Sequence, residues 1–312
     1  MRLIRLWPDH SHFDFMRLRR YSFPLSALLS VLTILLLTTV GLNFGIDFRG
    51  GTLMELQAKS GQVDAAKVRQ ASESFGFGDV EVQEFGNTGG VSLRFAIQPG
   101  GEAAQSAVVQ KARDTFGGEY EFRRVETVGP RVSGELVQSG TIGIILSVIA
   151  VLFYLWFRFE RELAIGAIVG TLHDIVLTIG FFVISRHEFN MTSIAAILTI
   201  VGYSLNETVV VFDRTRELMR RYKTMPSEEL LNLSINTTMS RTVMTATTAA
   251  LSLLALVIFG GRAIESFAQV MLSGVFICTY SAIFISSPSL IYLGLRQSVS
   301  AAPVKAAAPA RP

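Results

Sequence analysis

Apolar residues gather into six long runs: Ser22–Gly41, Ser139–Phe157, Leu163–Ile184, Met191–Phe212, Val243–Gly260 and Phe267–Gly294. Each is near or above the ~18 residues an α-helix needs to cross the hydrocarbon core of a bilayer. Together they hold two acidic residues, Asp174 and Glu207, and no Lys or Arg. The pattern predicts six transmembrane helices. Between the first and second runs the texture changes. Val91, Leu93, Phe95 and Ile97 alternate with Ser92, Arg94 and Ala96, the period of two expected of a strand with one buried face. Val80 with Val82, and Tyr120 with Phe122, repeat that alternation more briefly. Two other sets follow helical spacing: Val68, Ala71 and Phe75 closed by Gly76, and Val109, Ala112 and Phe116 closed by Gly117. They superpose at a constant offset of 41 residues. With Thr52–Gln57 as a first strand the order is βαββαβ, which predicts a split βαβ, ferredoxin-like domain. The fold class expected is a polytopic α-helical membrane protein with six transmembrane helices and one α+β external domain between helices 1 and 2.

Composition supports the membrane reading, since 50% of the 312 residues are hydrophobic and 17% are charged, against about 25% charged in a soluble domain. The net charge of +3 does not indicate nucleic acid, because the basic residues flank the spans. Arg158 and Arg161 follow the second run; Arg214, Arg216, Arg220, Arg221 and Lys223, ending at Arg241, follow the fourth. The opposite connections offer only Arg186 and Arg262. Lys and Arg mark the cytoplasmic side, which predicts that both termini are cytoplasmic and that residues 42–138 form a periplasmic domain. Residues 1–21, with Arg2, Arg5, Arg17, Arg19 and Arg20, then form a cytoplasmic segment leading into an uncleaved first helix. Residues 139–294 make a five-helix bundle. The remainder, 295–312, is a cytoplasmic tail, expected to be disordered from Ser298 because it is rich in Ala and Pro.

Enzyme signatures are missing. No Gly precedes any Lys, so there is no G-K-[ST] phosphate loop; His187-Glu188 lacks a second His three residues on; and Gly202-Tyr203-Ser204 does not continue into a nucleophile elbow. The single Cys278 excludes an intramolecular disulfide and a thiol metal site. No catalytic residue, metal or cofactor is expected, and the energy source is sought in the membrane.

The informative residues are the ionisable ones inside the runs. A charge at a helix centre costs ~2.5–3.5 kcal/mol on insertion scales, so such residues face the bundle interior and take part in ion or proton pathways. Asp174, beside His173, lies on a face where Gly166, Gly170, Asp174 and Thr178 recur every four residues, a GxxxG helix-packing pattern. Ser204, Glu207, Thr208 and Val211 share a second face, with Asn206 adjacent, and Arg241, Thr242, Thr245 and Thr248 open the fifth run. If these two stripes meet, Arg241 supports the ionised form of Glu207. The residues leave a blander alternative open: Asp174 and Glu207 as hydrogen-bonding glue between helices, and Arg241 as an interfacial anchor. Asp213, Arg214, Arg216 and Glu217 read as a solvated extension of the fourth helix. The external domain reads as a docking module or a cap.

Longer motifs carry a resemblance. Gly41-Leu42-Asn43-Phe44-Gly45-Ile46-Asp47-Phe48-Arg49-Gly50-Gly51-Thr52 resembles the signature that follows the first helix in the SecD/SecF family, within the resistance-nodulation-division (RND) superfamily. The run from Gly202 to Arg214, with Asp213, is similar to the fourth-helix motif of that family's SecF branch, and His173-Asp174 and Ser240-Arg241-Thr242 are similar to its third- and fifth-helix patterns. The resemblance implies an accessory subunit of the bacterial Sec protein-export translocon. Such a subunit works with SecD to couple the proton motive force to late movement of preproteins across the inner membrane. The partners implied are SecD, the SecY, SecE and SecG channel, a SecA-driven preprotein and, further out, YajC. In that family an Asp after the motif Asn and a fifth-helix Arg serve proton passage; here these positions are Glu207 and Arg241. The chain departs from the pattern by having Glu where the family has Asp. Half of an RND-type proton-driven exporter of small molecules or lipids is the alternative.

Overall fold

The computed structural model describes residues 8, 11–60, 63–85 and 89–295. Arg2 and Arg5 of the basic segment, and the tail from Ser298, lie outside the described residues. In chain order the elements are α1 (Arg19–Thr39), α2 (Ile46–Arg49), β1 (Gly51–Ala58), α3 (Ala65–Glu73), β2 (Val80–Phe85), β3 (Gly90–Phe95), α4 (Gly101–Phe116), β4 (Tyr120–Val128), α5 (Pro130–Arg158), α6 (Arg161–Ser185), α7 (Met191–Arg221), α8 (Ser227–Phe259) and α9 (Arg262–Ser281). A π-helical turn, Ala282–Ser286, joins α9 to α10 (Ser287–Tyr292). Six helical stretches among the described residues are long and apolar enough to cross a membrane: α1, α5, α6, α7, α8 and α9 through α10. The protein is a polytopic helical membrane protein with one small α+β domain between its first two spans.

The helices overrun the apolar runs that signal them. α5 starts at Pro130, well before Ser139, where proline's fixed φ suits a first helical position. α8 starts at Ser227, because Leu230, Leu231, Ser234, Ile235, Thr238, Met239 and Thr242 form a buried stripe at helical spacing within a sequence of polar appearance.

The chain divides into two compact units. One takes Met1–Leu42, Ser147–His187 and Ala195–Pro312 and holds most of the spans. Its core includes Leu155, Leu163, Phe212, Leu231, Ile235 and Leu290, with Phe15 and Met16 from the segment before α1. That segment is strapped to the front of α8: Met16 N donates to Asn232 Oδ1 at 3.0 Å, and Asn236 Nδ2 donates to the Phe13 carbonyl at 2.8 Å. The glycine face of α6 packs as its spacing predicts. A Cβ at Gly166 would lie 2.7 Å from Leu290 Cδ2, and one at Gly170 would strike Ser286 Oγ of the π-helical turn. Side chains larger than hydrogen are excluded there, so backbones approach closely.

The other unit takes Asn43–Leu146 and Glu188–Ile194. Its sheet has the order β2-β3-β1-β4, every neighbouring pair antiparallel, with Thr52 opposite Phe95 and Thr127, and Val80 also opposite Phe95. The core joins Met54, Leu56, Val91, Leu93 and Phe95 to Val68 of α3 and to Val108, Ala112 and Phe116 of α4. Two details differ from the sequence reading. The buried α4 position is Val108 rather than Val109, so the helical repeat is offset by one residue from the expected 41. α3, capped by the Asp64 carboxylate on Ala66 N and Lys67 N, ends at Glu73. Phe75 lies beyond that end yet still stacks on Phe95, with centroids 6.1 Å apart.

Candidate functional site

Both intramembrane carboxyls are buried: Asp174 is 1% exposed and Glu207 2%. Asp174 faces α7, where Ser204 Oγ donates to its Oδ2 at 2.5 Å. Its Oδ1 lies 3.1 Å from Nδ1 of the neighbouring His173, a contact whose donor depends on the imidazole tautomer. The other ring nitrogen, Nε2, is buried without a hydrogen-bond partner among the described residues. The ring leans on Tyr280 of α9 at 6.2 Å, and the Tyr280 hydroxyl lies 3.0 Å from Ser26 Oγ of α1.

Glu207 lies one turn after Ser204 on α7, at the i+3 position that shares its face. Thr245 Oγ1 of α8 donates to Glu207 Oε1 at 2.8 Å. The same hydroxyl lies 3.1 Å from the Arg241 carbonyl and 3.0 Å from that of Thr242. One hydroxyl hydrogen has three acceptors within reach, so the arrangement is compatible with either protonation state of the acid. A carboxylate accepts from Thr245; a neutral acid donates to Thr245, whose hydrogen then turns to a backbone carbonyl of its own helix.

The remaining residues fall as follows. Thr208 is buried beside Glu207, whereas Asn206 is exposed on the other flank of α7. Arg241 is exposed and, among the described residues, forms no ion pair with Glu207. The direct contact with Glu207 is made by Thr245, one turn on from Arg241. Asp213 holds Arg158 Nη2 at 2.7 and 2.8 Å, tying α7 to the end of α5. Arg214 pairs with Glu217 at 2.6 Å and donates to Thr237 Oγ1 of α8 at 3.1 Å. No group of His, Cys, Asp and Glu suited to a metal occurs among the described residues.

Glycines of the motif after α1 have backbone reasons. Gly50 has φ +70° and ψ 176°, and Gly51 has φ +116°. A Cβ on Gly51 would run into the Phe95 carbonyl of β3. Gly45 donates its N–H to the Phe189 carbonyl at 2.9 Å, and Asp47 Oδ2 accepts from Met191 N, the first residue of α7, at 2.9 Å.

Sequence spacing missed Tyr280 and the α1 hydroxyls. The available signal was faint: Ser22, Ser26 and Thr33, all buried, stand four and seven residues apart in an otherwise apolar run. It also missed that Glu188, next to the α7 start, pairs with Arg94 of β3, a contact between residues 94 positions apart.

Comparison with known proteins agrees with the motifs. The family described as protein export membrane protein SecD/SecF, C-terminal, matches residues 108–296, and the SecD/SecF GG motif matches residues 35–62. The chain is 39% identical to the protein translocase subunit SecF of Rickettsia bellii, over 92% of this chain and 95% of that one. It is 40% identical to the protein translocase subunit SecDF of Brucella abortus, covering 95% of this chain and 39% of the relative. The crystal structure of SecDF, a translocon-associated membrane protein from Thermus thermophilus, matches with a TM-score of 0.82 at 31% identity, over 92% of this chain and 39% of that one. SecDF in a super-membrane-facing form matches with a TM-score of 0.65 at the same identity, over 95% of this chain and 40% of that one. The chain thus spans about two fifths of the SecDF proteins and nearly all of the SecF protein it matches.

Proposed function

Because the chain belongs to the SecD/SecF family of protein export membrane proteins, we propose that it is an accessory subunit of the bacterial Sec translocon that couples the proton motive force to late movement of preproteins across the inner membrane. It acts together with SecD and beside the SecY, SecE and SecG channel that SecA loads. It is a transport subunit and not an enzyme. Both termini face the cytoplasm, and the α+β domain, with its split βαβ order, is periplasmic. The observation that carries the reading is the buried Glu207 bound by Thr245 of the next helix, in a site built to hold the acid in either protonation state.

The proton route runs over Glu207 and Asp174, joined through Ser204 on one face of α7, with His173 as a second proton carrier beside Asp174. Arg241, on the stripe that carries Thr245, supplies positive charge when Glu207 is ionised. A potential of 100 mV acting on one charge supplies ~2.3 kcal/mol, enough to bias a two-state repacking of α7 and α8 by a factor of tens. That repacking moves the external domain with the polypeptide it holds. Inverted membrane vesicles translocating a preprotein, with and without an ionophore, test the proposal. Glu207→Gln abolishes the ionophore-sensitive part at unchanged accumulation of the chain, while Glu207→Asp, the family's usual residue, keeps it. Equal behaviour of all three would reduce Glu207 to packing and remove the motor role from this site.

A further inference from the structure

The segment before α7 does more than connect two helices. Glu188–Ile194, which includes the first turn of α7, belongs to the same compact unit as the small domain. Attachments of several kinds hold it there. Phe189 N donates to the Asn43 carbonyl at 2.7 Å and Gly45 N donates to the Phe189 carbonyl at 2.9 Å, forming a parallel bridge between Phe44 and Phe189. The rings of Phe44, Phe48 and Phe189 pack together, with centroids 5.7–6.0 Å apart. Arg94, which projects from β3 with its side chain 10% exposed, pairs with Glu188 and donates to the Phe44 carbonyl at 3.2 Å, so one guanidinium grips both sides of the bridge. Gly45 allows this approach, since a Cβ there would lie 3.3 Å from Asn190 Cβ.

Asp47 completes the set, and its role is not simply to cap a helix. The start of α7 already has a local cap: Ser193 N donates to Asn190 Oδ1 at 3.1 Å and Asn190 N donates to Ser193 Oγ at 3.1 Å, a reciprocal arrangement that satisfies two N–H groups at this end. Asp47 adds a bond from a distant part of the chain to Met191 N, where the positive end of the helix dipole favours a carboxylate. The feature this bond adds is attachment between segments. α7 runs without interruption from Met191 to Arg221, and Glu207 lies roughly four turns along it.

We propose that Asn43–Asp47, Arg94 and Glu188–Met191 form a clamp that fixes the small domain to the first turn of the Glu207 helix and transmits that helix's movement to the domain. The inference rests on the motor reading given above. The clamp stays closed throughout the cycle, and its residues act through α7 without touching the proton.

The test uses the full chain with its partners in inverted vesicles, reading ionophore-sensitive preprotein translocation at matched accumulation. Asp47→Ala combined with Glu188→Ala loses most of that part, whereas Asp47→Asn, which keeps the acceptor oxygen, retains it. Adding Phe44→Cys and Phe189→Cys to the double variant restores translocation when the two thiols are oxidised to a disulfide, and reductant removes it again. The cysteine pair alone, in the otherwise unchanged chain, remains active when oxidised. A cysteine pair that stops translocation when oxidised and releases it when reduced would overturn the inference, since the clamp would then have to open. Undiminished activity of Asp47→Ala with Glu188→Ala, or no rescue by the disulfide, would also overturn it. Glu207→Gln, run alongside, separates the two readings: if it leaves the ionophore-sensitive part intact, the motor assignment has failed, whatever the clamp variants do.

Discussion

Replacing Gly51 by Ala tests whether the double glycine after α2 is required by backbone geometry. Two costs add at this position. Its φ of +116° lies where side-chain-bearing residues are strained, worth about 1–3 kcal/mol. The new methyl also meets the Phe95 carbonyl, a backbone group held by β1–β3 pairing next to a side chain that is fully buried, so nothing can rotate away. Overpacking of that kind costs a further ~1–3 kcal/mol. Gly50→Ala is the control. Its φ and ψ are strained to a similar degree, but its Cβ meets the end of the Ile97 side chain, 2.5 Å away at Cδ1, which is half-buried and free to change rotamer. Gly51→Ala is therefore more destabilising than Gly50→Ala by about 1–3 kcal/mol. With a urea dependence of ~1–3 kcal/mol per molar, the midpoints separate by roughly 1 M. Pulse proteolysis of the small domain in the full chain, in detergent across a urea series, reads those midpoints. Equal midpoints, or a larger loss for Gly50→Ala, would refute the steric account.

Gly170→Ala places a methyl against Ser286 Oγ and lowers the heat resistance of the detergent-solubilised chain by ~1–3 kcal/mol; adding Ser286→Ala, whose hydroxyl has no hydrogen-bond partner among the described residues, recovers much of it. In the small domain, burial and then the Glu119 carboxylate push the Tyr120 phenol above its ordinary value. A raised folded-state pKa gives stability that is complete below the ordinary value near 10 and lost as pH rises through it. Urea midpoints taken from pH 8 to 11 therefore fall more steeply for wild type than for Tyr120→Phe.

The spans were legible because ~18 apolar residues leave few alternatives in water or lipid. The extension of α7 was legible in its charged residues, but the long start of α8 was not: there a stripe of Leu230, Leu231, Ile235 and Met239 is diluted by Asn232, Ser234, Asn236 and Thr237, and only burial reveals it. Period-two alternation marked β3, whose neighbours on both sides leave one face for the core. At the site, helical spacing grouped Ser204 with Glu207 and Arg241 with Thr245, but spacing says which residues share a face and nothing of reach. A threonine hydroxyl sits close to its backbone and meets Glu207, whereas the guanidinium of Arg241 extends to exposed surroundings. Contacts between segments distant in sequence, such as Arg94 with Glu188 or Asp47 with Met191, leave no periodic trace.

The energy scale limits what a proton at Glu207 can do. One charge across 100 mV supplies ~2.3 kcal/mol. A hydrogen bond to a charged group is worth ~1.5–3 kcal/mol net, so a single proton is matched to exchanging the Glu207–Thr245 bond for its alternative. It is not matched to unpacking α6 from the π-helical turn and α10. Withdrawing one fully buried side chain such as Leu290 from Gly166 already costs on the order of 2–5 kcal/mol, and Ser286 fills the space against Gly170 as well. On the proposed reading the helices respond as bodies, with the change confined to side-chain partners and helix ends. α7 is held at both ends by groups from elsewhere in the chain, Asp47 at Met191 and Arg158 at Asp213. The Arg158 pair is partly exposed and so worth little, ~1 kcal/mol or less. The Asp47 end has the bridge, the aromatic cluster and Arg94 in addition, and is the more heavily attached of the two. On the proposed motor reading, a change of partner at Glu207 would be carried preferentially toward the Asp47 end of α7.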